Sequence, residues 1–484
     1  MLRSFNIYNI LHTIGISLIF ESLFMLLVIP VVLIYHEPTL FAFVLSFLIT
    51  GVFGIFVLFL TKKRISTDPS IKESFLIVSL TWIFISIFGT LPFILTKSIP
   101  HFINALFETV SGFTTTGSSI LTDIEALTKG VLFWRALTHW IGGMGIIVLV
   151  LAILPYFKIG GHHLMIAEGS FAGVEKMKPR LIDVAKRLWL IYVMLTVGEV
   201  ILLCIAGMPL YDSICHSFAT IATGGFSTKN ASIMEYSPVI QYIITVFMIL
   251  SGMNFTLHYF ALHRKSKAVF RNEEWKAYVF IILIASILIT LYVRNSYPTI
   301  EASFRHSLFQ VSSLLTATGF VSADYEQWPF FTHAILFIIM IIGACVGSTG
   351  GGIKVARYVV AFKNVSRMFK RLINPNSIFV VRFNGSLIQN QTVRSISTFI
   401  FIYYLTIVIG SLIMASIGLD IRSASSSVIT TLGGIGPGFG TVGPVNNFAS
   451  IPIFGKIYLS FNMILGRLEI LSVLAIMNPS FYKV

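Results

Sequence analysis

The sequence predicts an all-α, polytopic membrane protein with ten transmembrane helices: four pseudo-repeated span–loop–span units and two further helices at the N-terminus. Three observations predict it. First, 56% of the 484 residues are hydrophobic and only 11% are charged, with a mean hydropathy of +0.87. A soluble domain carries roughly 25% charged residues, and no soluble core absorbs this much apolar surface. Second, the apolar residues fall into runs of the length a bilayer demands, separated by basic clusters. Third, a short Thr-Gly or Gly-Ile-Gly segment recurs four times between such runs.

The spans come first. A helix needs about 20 apolar residues to cross a membrane. The candidates are 11–34, 40–61, 74–96, 131–155, 188–207, 238–262, 276–293, 331–359, 396–418 and 452–476. The first of them lacks the short apolar core and small-residue cleavage site of a signal peptide, so we expect it to be retained. Basic clusters lie at 61–64, 175–187, 263–267 and 354–371. Lys and Arg at span ends mark the cytoplasmic side. They place both termini and the 62–73, 156–187, 263–275 and 360–394 segments inside, and the assignment alternates without contradiction. The formal charge of +14 therefore reads as topology and attraction to anionic lipid, not as a nucleic-acid surface. The three cysteines, Cys204, Cys215 and Cys345, form neither a disulfide framework nor a CxxC pattern.

The short segments are the next element. They are 101–120, 210–230, 301–320 and 420–440, with cores centred on Gly117, Gly224, Gly319 and Gly436. Self-similarity at intervals of roughly 100 residues is the signature of a repeated fold. Each holds about 10–14 residues of mixed apolar character before its glycine, too few to span and fitting for a re-entrant half-helix. Asp212 with Ser213, Glu301 with Ser303, and Asp420 with Ser423 are candidate N-caps. The C-terminal end of each half-helix then faces inward, and its partial negative charge favours a cation. Non-helical backbone at membrane depth is tolerated only when buried in protein or lining a cavity. Four such loops around one axis present rings of carbonyl oxygens that replace the hydration shell of a cation.

With these motifs in hand, the chain resembles the Trk/Ktr/HKT superfamily of potassium transport proteins. The resemblance rests on "TTTG" (114–117), "TIATGGFST" (220–228), "TATGF" (316–320), "GGIGPGFG" (433–440), "WIGGMGIIVL" (140–149) and "GSTGGGIKVAR" (347–357). It runs from about residue 74 to the end, and the two extra N-terminal spans resemble the Trk type rather than the shorter Ktr type. It implies four M1–pore loop–M2 repeats around one ion pathway, divided as 1–73 for the two N-terminal helices, then 74–187, 188–275, 276–394 and 395–484. It implies potassium uptake across the bacterial inner membrane, with potassium as cargo and no cofactor bound by this chain. It further implies a homodimer with a cytoplasmic nucleotide-binding ring, TrkA-like, as partner. By motif, Gly117, Gly224, Gly319 and Gly436 are the filter glycines, and Thr114, Thr115, Thr116, Thr223, Thr318 and Ile435 lend carbonyls. In the plant branch Ser at the first glycine goes with sodium permeation; Gly117 favours potassium. The fourth loop departs from the Thr-Gly theme, so fourfold symmetry is not expected.

Two features point to a gate. The eighth span is interrupted by Gly343, Gly347, Gly350, Gly351 and Gly352 with Ser348 and Thr349. A continuous helix is preferred in lipid, so the interruption suits a segment lining a cavity; a kinked or closely packed helix is the alternative. It is not a phosphate-binding P-loop, because Lys354 comes one residue late and is followed by Val355. Arg467 sits in the last span, where an arginine is costly and marks function, either as a barrier in the cation path or as an ion pair with Glu469 or Glu199. Glu108, in the first half-helix, is expected either to anchor the filter by hydrogen bonds or to attract cations at the mouth. His139, His162 and His163 lack the companions of a metal site, and no catalytic constellation stands out. A secondary transporter coupling potassium to proton or sodium is the competing function, since broken helices near the midplane also occur there.

Overall fold

A helix in lipid satisfies its own backbone, so this sequence has few alternatives to helices across the apolar phase. The computed structural model describes residues 6–62, 70–153, 178–263 and 266–482. Six stretches among them are long and apolar enough to cross a membrane: Ile7–Ile34, Leu40–Thr61, Lys72–Leu95, Ala185–Ile205, Glu273–Ser296 and Asn390–Ser416. Their outward faces carry exposed Phe59, Ile205, Leu291 and Leu412, the surface that lipid covers. The protein is a helical, multi-pass membrane protein.

Local chemistry fixes the ends. Ser70 and Glu73 form a reciprocal capping box at the start of Ile71–Phe88, and Glu73 Oε1 also accepts the Asn6 N–H at 2.7 Å, tying the first helix to the third. The first two long helices pack through glycine. A Cβ at Gly54 would sit 2.9 Å from Ile19 Cγ1 and 3.0 Å from Gly15 O, the close approach that small residues permit in membranes.

Four half-helices lie between the long ones: Phe102–Phe113, Leu210–Ile221, Ile300–Leu315 and Ile421–Gly433. Their capping partly departs from expectation. Asp420 does cap the fourth, accepting the N–H groups of Arg422 and Ser423 at 3.1 Å. The third is capped by Thr299, with Glu301 as a first-turn acid. The second begins at Pro209 without a side-chain cap, and Asp212 instead accepts the Thr228 hydroxyl at 2.6 Å.

The spans expected at 238–262, 331–359 and 452–476 are not continuous. Pro238–Ser251 and Phe255–Leu262 meet at 101°, and Ile453–Arg467 and Ile470–Met477 at 116°. Phe330–Ile341 gives way to an irregular stretch before Val355–Ile373 begins. Apolar runs register length but not direction, so these bends were invisible to hydropathy. Position 469 shows the cost of one: Glu469 takes φ +63°, a conformation unfavourable for a side-chain-bearing residue. An unforeseen hairpin also interrupts the basic linker. Arg382–Phe383 pairs with Ser386–Leu387 across Asn384-Gly385, both at positive φ, the preferred sequence of a two-residue hairpin turn.

Filling the glycine contact between the first two long helices should destabilise the fold. Gly54→Leu is expected to cost about 1–3 kcal/mol, the usual penalty of overpacking, read as a lower thermal unfolding midpoint in detergent. An unchanged midpoint would show that these helices part without cost.

Candidate functional site

Each half-helix ends in the same backbone construction. A residue in the left-handed region, one residue outside it, and then a left-handed glycine follow one another. The first positions are Thr115, Thr223, Ala317 and Gly434, at φ 55°, 56°, 61° and 67°. The glycines are Gly117, Gly225, Gly319 and Gly436, at φ 80°, 79°, 79° and 97°. Between them, the N–H groups of Thr116, Gly224, Thr318 and Ile435 reach back to the carbonyls of Ser111, Ala219, Ser313 and Thr430 at 2.9, 2.8, 2.8 and 2.8 Å. This is a Schellman-type ending, which satisfies carbonyls the helix leaves free. Three of the four first positions bear side chains, in a conformation that costs of order 1–3 kcal/mol outside glycine.

The repeat fixes one correction. In the second loop Gly225, not Gly224, is the counterpart of Gly117. Gly224 occupies the place of Thr116, Thr318 and Ile435. With two adjacent glycines, the motif spelling alone left the register open by one residue; the backbone dihedrals resolve it.

The four loops close into a ring. A Cβ at Gly117 would overlap the carbonyl oxygen of Gly224, one at Gly225 that of Thr318, and one at Gly319 that of Ile435; one at Gly436 would lie 2.9 Å from Thr116 O. The contacts run from the first loop to the second, third and fourth and back to the first. Glycine is needed at each step both for the dihedral and for the room. Thr114, Thr115, Thr116, Thr223, Thr318 and Ile435 are all buried beside it. The Thr114 and Thr316 hydroxyls bond those of Thr116 and Thr318 at 2.8 and 2.7 Å, so side-chain oxygen joins backbone oxygen in the ring. Such a constellation is chemically suited to a desolvated cation, and the half-helix ends bring partial negative charge towards it.

The returning strands are braced from the half-helices by a different group in each loop. Glu108 accepts from the Ser119 hydroxyl at 2.9 Å, the Ile120 N–H at 3.0 Å and Arg135 Nε at 2.8 Å. Glu108, Ile120 and Arg135 are buried and Ser119 is half-buried, and three partners satisfy a carboxylate that would be costly alone. Glu108 is therefore an anchor. His216 Nε2 lies 3.0 Å from Ser227 Oγ. Gln310 donates to Phe320 O at 3.3 Å, and Ser426 both donates to Phe439 O and accepts its N–H at 3.0 Å. His139 lies between loops one and two. Its Nδ1 is 2.7 Å from Gly112 O, and its Nε2 accepts the Phe226 N–H at 3.2 Å, so both ring nitrogens serve the scaffold. His162 and His163 lie outside the described residues. At the exposed rim, the Asn230 side chain and the N–H groups of Ala126 and Glu125 hold the Asp123 carboxyl below its ordinary range, which keeps it ionised.

The glycine-interrupted stretch lies beneath this ring. A Cβ at Gly350 would meet Thr316 O at 2.5 Å, and one at Gly351 would overlap Gly433 O, both at half-helix ends. The Thr349 hydroxyl donates to Ile221 O at 3.0 Å, a third half-helix. Gly347 O accepts the Phe255 N–H at 3.0 Å, and Gly343 N donates to Ile353 O at 2.8 Å. Gly347 and Gly352 take positive φ. Ser348 bonds Cys345 O at 2.6 Å, and Lys354 bonds Gly350 O. The stretch is thus a folded loop rather than a kinked helix.

Arg467 bolts it in place. Its Nη1 donates to Thr349 O at 2.7 Å and its Nη2 to Gly142 O at 2.8 Å. No ion pair joins it to a carboxylate among the described residues. Glu469 instead pairs with Arg357 at 2.8 Å. Sequence reasoning missed Gly142, Gly252 and Gly466 as companions. Methyls at Gly142 and Gly466 would overlap Phe113 O and Leu432 O, and one at Gly252 would lie 2.7 Å from the Thr316 methyl. Glycines in "WIGGMG" and "LGR" were the available signal.

Comparison with known proteins agrees with this geometry. The model of the TrkH family, described as cation transport protein, matches residues 39–480. The chain is 38% identical to the Trk system potassium uptake protein TrkH of Salmonella typhimurium, over 98% of this chain and 99% of that protein. It is 34% identical to TrkG of Escherichia coli K12 over 98% of both. The crystal structure of the potassium transporter TrkH from Vibrio parahaemolyticus superimposes with a TM-score of 0.89 at 34% identity, covering 99% of this chain and all of that one. These relatives are named as transport proteins, not enzymes. A ring of four half-helix loops over a bolted glycine loop, with similarity running nearly end to end, leads to one conclusion: the chain belongs to the TrkH family of cation transport proteins.

Proposed function

We propose that this chain is the pore subunit of a potassium uptake system and conducts potassium inward through a filter made by its four loops. The closed ring of glycine–carbonyl contacts carries the reading. The names of the relatives, potassium uptake proteins and a potassium transporter, supply the ion. Carbonyls around Gly117, Gly225, Gly319 and Gly436 replace water around the ion, and the half-helix ends offset its charge. Potassium is the cargo, and the chain needs no cofactor of its own.

The loop from Gly343 to Lys354 is the gate in this reading. It fills the path below the ring and is held there by Arg467, whose charge also opposes a cation. Opening requires the Thr349 and Gly142 bonds to break. Ten spans arranged as two N-terminal helices and four units, with the boundaries given above, accommodate the ring; three of the ten are then bent or broken. The protein resides in the bacterial inner membrane with both termini cytoplasmic. It works as a homodimer, and a TrkA-like nucleotide-binding ring acts on the gate from the cytoplasmic side.

Coupling of potassium to proton or sodium is the competing mechanism. Purified protein in liposomes separates the two. The reversal potential should follow the potassium gradient alone and stay fixed as pH and sodium are varied; a shift with either would establish coupling. In the same assay Gly117→Ser should erode the preference for potassium over sodium at least several-fold, because any side chain there meets Gly224 O at an unfavourable φ. Retained selectivity would remove Gly117 from the filter. Arg467→Ala should raise potassium flux several-fold at equal protein levels, and unchanged or reduced flux would overturn its role as the bolt.

A further inference from the structure

The gate loop has a neck as well as a tip, and one buried carboxylate closes the neck. Glu274 stands in the first turn of Glu273–Val293. An acid in that position ordinarily stays in water and stabilises the helix end. Glu274 is only 3% exposed, and its side chain is turned into the protein. Its Oε1 accepts the Val346 N–H at 2.7 Å and the Ala356 N–H at 3.1 Å. These amides stand on either side of the loop's tip, ten residues apart in the chain. A single oxygen therefore joins both strands of the neck. The strands also meet directly, through Gly343 N to Ile353 O at 2.8 Å and Val355 N to Ala344 O at 3.2 Å.

The elements around Glu274 hold it there. Asn272 caps its helix by accepting the Trp275 N–H at 2.9 Å. Asn384, from the hairpin turn, accepts the Glu273 N–H at 2.8 Å. Glu273 pairs with Lys363 on the helix that leaves the loop. Val381, Phe383 and Ile388 of the hairpin pack against Val346 and Ala356, the two residues whose amides Glu274 binds. The tip is held by other means, chiefly Arg467 on Thr349 O.

We propose that Glu274 is the positioning residue that keeps the neck of the gate loop shut, so that gating moves the tip while the neck stays fixed. The proposal rests on the reading of 343–354 as a gate. Loss of these two hydrogen bonds leaves two buried amides without an acceptor. Loss of Glu274 removes one bond from each strand at once and leaves the two direct bonds to hold the neck.

The test uses purified full-length protein in liposomes without a partner, with potassium and sodium flux measured separately. Glu274→Ala should raise resting potassium flux at least several-fold with the potassium-to-sodium ratio unchanged. Glu274→Gln retains an acceptor oxygen and should return flux to within about twofold of the parent. A second readout is the thiol of Cys345, which is fully buried within the neck. In a background with Cys204→Ser and Cys215→Ser, its reaction with a small thiol reagent should quicken in Glu274→Ala. Should that variant fail to reach the membrane, Glu274→Asp carries the labelling test, because one methylene less cannot reach both amides. Unchanged flux and labelling, or a loss of selectivity that accompanies the leak, would overturn the proposal. If Arg467→Ala leaks while Glu274→Ala does not, the gate stands and Glu274 is excluded from it. If neither leaks, the gate reading itself falls.

Discussion

Backbone that is not helical must be packed against other backbone to survive at membrane depth, and the whole arrangement depends on that constraint. Four loops meet through contacts in which the glycine of one leaves room for the carbonyl of the next. A side chain at any of these positions would push two loops apart, and the ring would open at that seam. The same device recurs one level below, where Gly142, Gly351 and Gly466 lie against the half-helix ends. Glycine is a poor helix former by roughly 1 kcal/mol against alanine. Its repeated use inside apolar helices is explained by this close approach and by little else.

The constraint also explains the buried Arg467. A loop made of glycines has few side chains with which to hold itself, and its carbonyls need donors. Arg467 supplies two in a fixed geometry, one to the loop and one to the neighbouring helix. An arginine suits the task better than a lysine because its planar fork reaches two acceptors at once. The acceptors are neutral carbonyls, so the charge is not cancelled locally. In the proposed reading, the residue that holds the loop also repels the ion, so structural and electrostatic closure coincide in one group.

Much of this was legible in the sequence. Composition, run lengths and basic clusters revealed a helical membrane protein, and three Thr-Gly cores with one Gly-Ile-Gly core revealed the repeated loops. What hydropathy could not show was direction. Pro238–Leu262 and Ile453–Met477 are each mostly apolar, and each turns by more than a right angle. Register was the second gap. "TGG" offers two glycines, and only the bond from Gly224 N to Ala219 O assigns the turn to Gly225. The third gap was side-chain partnership across long separations. Arg467 has Glu469 two residues away, yet Glu469 turns to Arg357 and leaves Arg467 to carbonyls. Nearness in sequence favoured the wrong pair, because the chain reverses between the two residues at a positive φ.

The braces show how a symmetric ring tolerates an asymmetric chain. At closely matching places the half-helices use Glu108, His216, Gln310 and Ser426 to hold the returning strand. These groups differ in charge, length and donor capacity, yet each satisfies polar groups of its own loop. The ring itself is backbone, and backbone is nearly independent of side-chain identity once the dihedrals are met. Four loops in one chain are therefore free to diverge everywhere except at the left-handed glycines. That freedom extends to the helices that follow. Only the unit after the third half-helix, among those described, replaces helix by a folded loop over more than ten residues. A pore made of four identical chains could not place one loop beneath its centre without placing four. A single chain with divergent repeats can, and in the proposed reading one loop suffices to fill a path that four backbones surround.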